Sequence, residues 1–161
     1  MEFYSPDVDL KKTFGEEIKD ADYISESVKI CEKSEISFQE ARFIPHNLLT
    51  NWNEIVGRAL FGDEDTEDFH LDFARNILFE LENSKELEGF DEHRIFRKIL
   101  RLIDQKLKDQ TFIPRELEKE EKWWNCVVFK RGTKEYIDGI EDEMYEKFKM
   151  KLDLKNQIEK I

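Results

Sequence analysis

Three stretches in the middle of the chain space their apolar residues at three- and four-residue intervals, and that period commits most of the fold to helices. The first places Leu48, Leu49, Trp52, Ile55, Val56, Ala59 and Leu60 on one face, with Asn51, Asn53, Glu54 and Arg58 expected on the other. An α-helix advances 3.6 residues per turn, so residues at i, i+3, i+4 and i+7 share a side that must be covered. Gly62 follows, where a glycine readily ends a helix. The second stretch runs Phe69, Phe73, Ala74, Ile77, Leu78 and Leu81, behind the acidic run Asp63-Glu64-Asp65-Thr66-Glu67-Asp68. Acids at that end suit the positive pole of a helix dipole. The third has Asp91 as its expected N-cap and Ile95, Phe96, Ile99, Leu100, Ile103 and Leu107 as its buried stripe. Connectors near 62–66 and 83–90 are short enough to make these helices antiparallel neighbours.

The flanks follow other patterns. Leu10, Phe14 and Ile18 recur at four-residue steps, so at least one helix is expected between Val8 and about Cys31. The pattern leaves Val28–Cys31 open between helix and strand. Ile36-Ser37-Phe38 and Ala41-Arg42-Phe43-Ile44, ahead of Pro45, read as extended chain. Trp124-Asn125-Cys126-Val127-Val128-Phe129 is aromatic and β-branched, which suits a buried strand, and Gly132 marks a turn after it. From Lys134 onward Ile137, Ile140, Met144, Phe148 and Leu152 form one stripe, with Ile158 further on, and one long helix is expected to the end. The expected class is therefore α+β and predominantly helical. It comprises central antiparallel helices, a small antiparallel β element at about 35–44 and 124–130, and a long C-terminal helix in a single domain, 1–161. A chain of 161 residues can bury about 70% of the surface its unfolded form exposes, enough for a core without staples.

Charge narrows the function classes. The chain holds 26 basic and 38 acidic side chains, a formal net charge of −12, yet 12% of its residues are aromatic, too many for a disordered acidic tail. The imbalance is local. Residues 1–50 carry 6 bases and 11 acids, residues 51–100 carry 6 and 13, and residues 101–161 carry 14 of each. An acidic surface repels phosphates, so direct binding of nucleic acid or anionic membrane is disfavoured, and a basic protein partner is favoured. The first ten residues hold no Lys or Arg, so no secretory signal is expected. No apolar run approaches the ~20 residues of a membrane span. Cys31 and Cys126 stand alone; an oxidising compartment would let them bridge, and two buried thiols in a cytoplasmic protein are the leading expectation.

No motif for catalysis, metal or cofactor survives inspection. Glu67 and His70 make one Glu-x-x-His, but the di-iron constellation that uses it needs a second copy and two further Glu. Asp63, Asp65 and Glu67 imitate the start of a calcium loop, which then fails at Asp68, where Gly is required, and at Ala74, where Glu is required. Arg42 and His46 lie beside a helix start, where capping is the simpler role. Asp104-Gln105-Lys106 and Glu120-Glu121-Lys122 match a loose nuclease element that chance supplies in a chain that is 40% charged. The six glycines are isolated, so no phosphate-cradling loop exists.

What remains are binding elements. The acidic stretch Asp63, Glu64, Asp65, Glu67 and Asp68, with Glu80, Glu82, Glu86 and Glu88, is the candidate contact set for a basic partner. Trp123 and Trp124 are a second candidate, because adjacent residues on a strand point to opposite faces and one ring is exposed if one face is open. Lys130-Arg131-Gly132-Thr133-Lys134 and the amides Asn47, Asn51 and Asn53 beside His46 are weaker candidates. The leading expectation is an acidic intracellular protein-binding module, an inhibitor of the immunity, antitoxin-like or phage anti-defence kind, covering a basic surface of a nucleic-acid-acting partner. The alternative is a non-catalytic structural or regulatory subunit docking through apolar surface. A metal-dependent nuclease ranks third.

Overall fold

In a computed structural model, residues 21–33, 45–60 and 71–161 are described, and they are mostly helical. The chain divides into two compact units. The described residues of the first lie within Met1–Ile55 and Phe73–Ile103, and those of the second within Val56–Asp72 and Asp104–Ile161. The acidic run at 63–68, the extended chain expected at 35–44 and the apolar residues Leu10, Phe14 and Ile18 lie outside the described residues.

Helix α1 (Ala21–Lys33) buries Tyr23, Ser27 and Cys31, four residues apart, so 28–31 is helix. Helix α2 (Pro45–Leu60) starts on a proline, which suits a first turn because its missing N–H would have no partner there. Leu48, Leu49, Trp52, Val56 and Ala59 are buried on the expected face. Asn53 corrects the reading, since it is buried too. It stands four residues after Leu49 and three before Val56, inside the width of the covered stripe. Helix α3 (Leu71–Glu82) buries Ala74, Ile77, Leu78 and Leu81. A single turn of 3₁₀ helix, Lys85–Leu87, then leads to helix α4 (Asp91–Asp109). Asp91 and Glu92 in its first turn and Lys106 and Lys108 in its last oppose the two ends of the helix dipole. Phe96, Ile99, Leu100, Ile103 and Leu107 are buried, each worth about 1.5–3 kcal/mol when withdrawn from water. Arg97 reaches back from α4 and donates from Nε (3.1 Å) and Nη2 (2.6 Å) to the Glu82 carbonyl. That carbonyl belongs to the last turn of α3, where no helical donor is left for it.

The second unit is built around residues 128–132. Strand β1 (Thr111–Phe112) pairs antiparallel with strand β2 (Val128–Phe129), placing Thr111 opposite Phe129 and Phe112 opposite Val128. Strand β3 (Arg131–Gly132) pairs in parallel with strand β4 (Glu159–Lys160). Helix α5 (Lys134–Phe148) lies between β3 and β4 in sequence, and the Thr133 hydroxyl caps it by accepting from the Tyr136 N–H at 3.3 Å. The core of this unit joins Leu117, Cys126, Val128, Ile140, Met144, Leu152, Leu154 and Ile158.

Three expectations change here. The antiparallel β element exists, but its strand is Val128–Phe129 and its partner is Thr111–Phe112. Trp123–Asn125 form a 3₁₀ turn instead of strand, because the N–H groups of Asn125 and Cys126 donate back to Lys122 and Trp123 (3.0 and 2.9 Å). The long helix from Lys134 ends at Phe148, with Lys149 left-handed at φ 56°. Leu152 and Ile158 are buried as expected, yet from a segment outside α5 that holds one 3₁₀ turn, Lys155–Gln157, and turns back on the helix. Gly132 lies in a strand and not in a turn, and what it provides is space. A Cβ there would stand 2.5 Å from Cδ1 of the Tyr136 ring, whose hydroxyl accepts from the Phe129 N–H at 2.9 Å. Gly132→Ala should therefore destabilise the protein by about 1–3 kcal/mol in urea unfolding, because a half-buried ring and its hydrogen bond must move together.

Candidate functional site

The described part of the candidate acidic surface is the link between α3 and α4. Residues 80–97 hold six acids and three bases. Their local structure sorts the acids into two kinds. Glu82 is half-buried and accepts from Nη2 of Arg75 at 3.0 Å, while Arg75 itself is only 2% exposed. This carboxylate neutralises a cation on a buried helix face, so it serves the fold. Glu88 pairs with Arg97 at 3.5 Å, near the same helix junction. Asp91 and Arg94 approach only to 4.0 Å and both are nearly fully solvated, an arrangement that adds little. Glu80 and Glu86 are exposed. Glu86 is held below the usual carboxylate range by its own backbone N–H and by the Ser84 hydroxyl, which donates to it at 2.8 Å. It therefore stays ionised and oriented. The nine acids at 80–88 and 63–68 were one set on the basis of sequence. Among those described, Glu80 and Glu86 are the ones that enter no ion pair in the contacts above, and Glu86 is held only by its own backbone and Ser84.

The two tryptophans also separate. Trp124 is 2% exposed and belongs to the interior. Trp123 is half-buried, meets Trp124 edge-on with ring centroids 5.9 Å apart, and carries the Lys108 ammonium 4.6 Å above its ring. A 3₁₀ turn advances about 120° per residue, so neighbouring side chains diverge without a sheet between them. In the basic cluster, Lys130 donates to the Asp109 carbonyl at 3.0 Å and Arg131 lies 3.6 Å from Glu159, so both serve the β layer. Asn51 is exposed and Asn53 buried, on different sides of α2.

Two titratable groups that sequence inspection passed over are built into the interior. The Tyr23 hydroxyl lies 3.0 Å from His93 Nδ1, and the His93 ring stacks on Phe96 with centroids 5.6 Å apart. Burial, then the Arg97 charge, lowers the His93 pKa, and burial raises that of Tyr23. A protonated phenol facing a neutral imidazole donates to Nδ1, which leaves the ring hydrogen on Nε2. The sequence signal was position 93 itself, three residues before Phe96 on the buried stripe of α4. In the second unit the Glu141 carboxylate accepts from the N–H groups of Leu154 (2.9 Å) and Lys155 (3.0 Å), which holds its pKa down. No local pattern marks that residue. Both cysteines are free and buried, and burial pushes Cys31 up to about 12 and Cys126 up to about 11.

Among the described residues no group of three His, Cys, Asp or Glu is placed to hold a metal ion. The triplet at 104–106 lies within α4, where Asp104 is buried. No described helix is long and apolar enough to cross a membrane. No protein-family model matches the chain, and comparison with curated proteins and with solved structures finds no match.

Two outcomes follow from the buried groups. His93 is neutral in the fold and takes a proton readily once unfolded, so its contribution is present above about pH 6.5 and is lost as pH falls below it. Thermal melts of the native protein and His93→Gln should differ most at pH 8 and converge toward pH 5. The thiols should resist a disulfide-exchange reagent at pH 8 in the native state and react fully in denaturant, because the thiolate is the nucleophile.

Proposed function

We propose that this protein is an acidic protein-binding module that inhibits a nucleic-acid-acting partner by covering that partner's basic surface. The observation that carries the reading is the confinement of the whole −12 to the first hundred residues, beside a segment of 101–161 with equal numbers of acids and bases. A solubilising charge needs no such confinement, whereas complementary potentials raise association rates and select partners. Glu80, exposed in the last turn of α3, and Glu86, exposed in the link to α4, support the reading, and the run Asp63 to Asp68 supplies further charge nearby in sequence. Glu82 drops out of the contact set because it is half-buried and paired with Arg75 at 3.0 Å. Trp124 drops out because it is interior, and Trp123 stays as a half-exposed ring.

A second reading, a non-catalytic subunit docking through apolar surface, is favoured by Leu102, which is 58% exposed on α4. Salt separates the two. Exposed charges are screened over about 10 Å at 0.1 M salt and over about 3 Å at 1 M, while apolar contacts persist. The test is affinity capture from the native source, with mass spectrometry, using the native protein and a variant with Asp63, Glu64, Asp65, Glu67, Asp68, Glu80 and Glu86 changed to Lys. A basic nucleic-acid-acting protein should be held by the native chain at about 0.1 M salt, and released near 1 M and by the variant. Its association rate should fall at least tenfold on charge reversal. A partner retained near 1 M salt and by the variant overturns the acidic-face reading in favour of the apolar one.

A further inference from the structure

The segment Met150–Ile161 packs on the second unit through apolar side chains and a few backbone hydrogen bonds. Three apolar side chains, Leu152, Leu154 and Ile158, enter the core formed by Leu117, Val128, Ile140 and Met144. Three further ties lie at its far end and middle. The Glu141 carboxylate holds the N–H groups of Leu154 and Lys155, the Glu159 N–H donates to the Lys130 carbonyl at 2.8 Å, and the Ile161 N–H donates to the Gly132 carbonyl at 2.9 Å. Each tie joins the segment to α5 or to residues 130–132.

The hinge is one residue. Lys149 adopts φ 56° and ψ 32°, and it is the single non-glycine with positive φ among the described residues. Its N–H donates to the Tyr145 carbonyl, which closes α5. The sequence favours the opposite outcome, since Phe148 and Leu152 continue the helical stripe and Lys149, Met150, Lys151 and Leu152 are all good helix formers. Local preference and tertiary docking therefore disagree at Lys149. Straightening it relieves an unfavourable left-handed conformation while removing the segment from its groove.

We propose that Met150–Ile161 is an exchangeable arm, which pivots at Lys149 and docks into the same groove of a second copy of this chain. The occupant is specified by the groove itself. In an exchanged pair every contact made within one chain recurs between two, with the same Leu152, Leu154 and Ile158 pockets and the same Glu141 acceptor. The two closed forms differ only at the hinge and in the entropy of association, so concentration selects between them.

The test compares the full-length native chain, Lys149→Gly and Lys149→Pro by size-exclusion chromatography with light scattering, from micromolar to near-millimolar concentration. Glycine accepts the left-handed turn without strain and weakens a continuing helix, so Lys149→Gly should lower the dimerisation constant about fivefold. Proline fixes φ near −65° and removes the N–H, so the closed turn is excluded and Lys149→Pro should dimerise at lower concentration than the native chain. Hydrogen exchange supplies a second readout. The amides of Leu154, Lys155, Glu159 and Ile161 should exchange together, faster than those of the buried stripe of α4, and more slowly in Lys149→Gly. Monomers throughout for the native chain overturn the proposal. So does a dimer equally populated in the native chain and Lys149→Gly, which uses another surface, and so does arm exchange that occurs only with global unfolding. If Lys149→Pro fails to fold, the native chain and Lys149→Gly decide alone.

Discussion

Burial of one stripe along α4 is the constraint on which the remainder of the structure depends. Phe96, Ile99, Leu100 and Ile103 are interior residues of the first unit, and Leu107 belongs to the second. The buried stripe runs from Phe96 to Leu107, with Asp91 and Glu92 in the first turn of α4 and Lys106 and Lys108 in its last. The ends then do further work. Arg97 closes α3 by binding the Glu82 carbonyl, His93 receives the Tyr23 hydroxyl, and Thr111 caps the last turn by donating to the Leu107 carbonyl at 2.7 Å. Local helix preference is worth tenths of a kcal/mol per residue, against about 1.5–3 kcal/mol for each fully buried large apolar side chain. Packing decides the element, and propensity follows it.

The same balance explains how charge is used. In a chain this rich in ions, most carboxylates face water and stabilise little. Glu82 and Glu141 differ because each accepts from groups set into the fold, a buried guanidinium in one case and two backbone N–H groups in the other. Removing the Glu141 acceptor leaves two backbone donors to find new partners, which is a larger penalty than losing a surface ion pair. Glu80 and Glu86 are exposed acids that hold no buried cation, and Glu86 is oriented only by its own backbone and Ser84. A surface charge contributes to steering when it is not already committed to the fold.

The three central helices were legible because their stripes are long. Asn53 was misread for a related reason, since a buried face is wider than the four most apolar positions on it. The expected strand at 124–130 was half right. Val128–Phe129 has the β-branched and aromatic composition of an interior strand, but Trp123 and Trp124 have the same composition and form a turn. Composition reports burial, and both a buried strand and a buried turn satisfy it. The partner Thr111–Phe112 is two residues long, too short for any alternation to register. Of the candidate surface, the excess of acids in the first hundred residues could be counted directly, whereas the division between structural Glu82 and exposed Glu86 could not. It depends on Arg75, whose burial is set by the helix face it occupies.

By itself, the sequence determined the helical core and the acidic first hundred residues, because each is a property of composition or of a period within one element. Only the tertiary structure decided where α5 stops. Nothing local ends it, since Lys149 is neither glycine nor followed by proline and the stripe runs on to Leu152. The segment beyond turns back because Leu152, Leu154 and Ile158 find a core there, and Glu141, Lys130 and Gly132 supply acceptors for its backbone. Those partners are separated from the segment by 13 to 29 residues in sequence, and interactions at that distance leave no mark on the pattern within a helix.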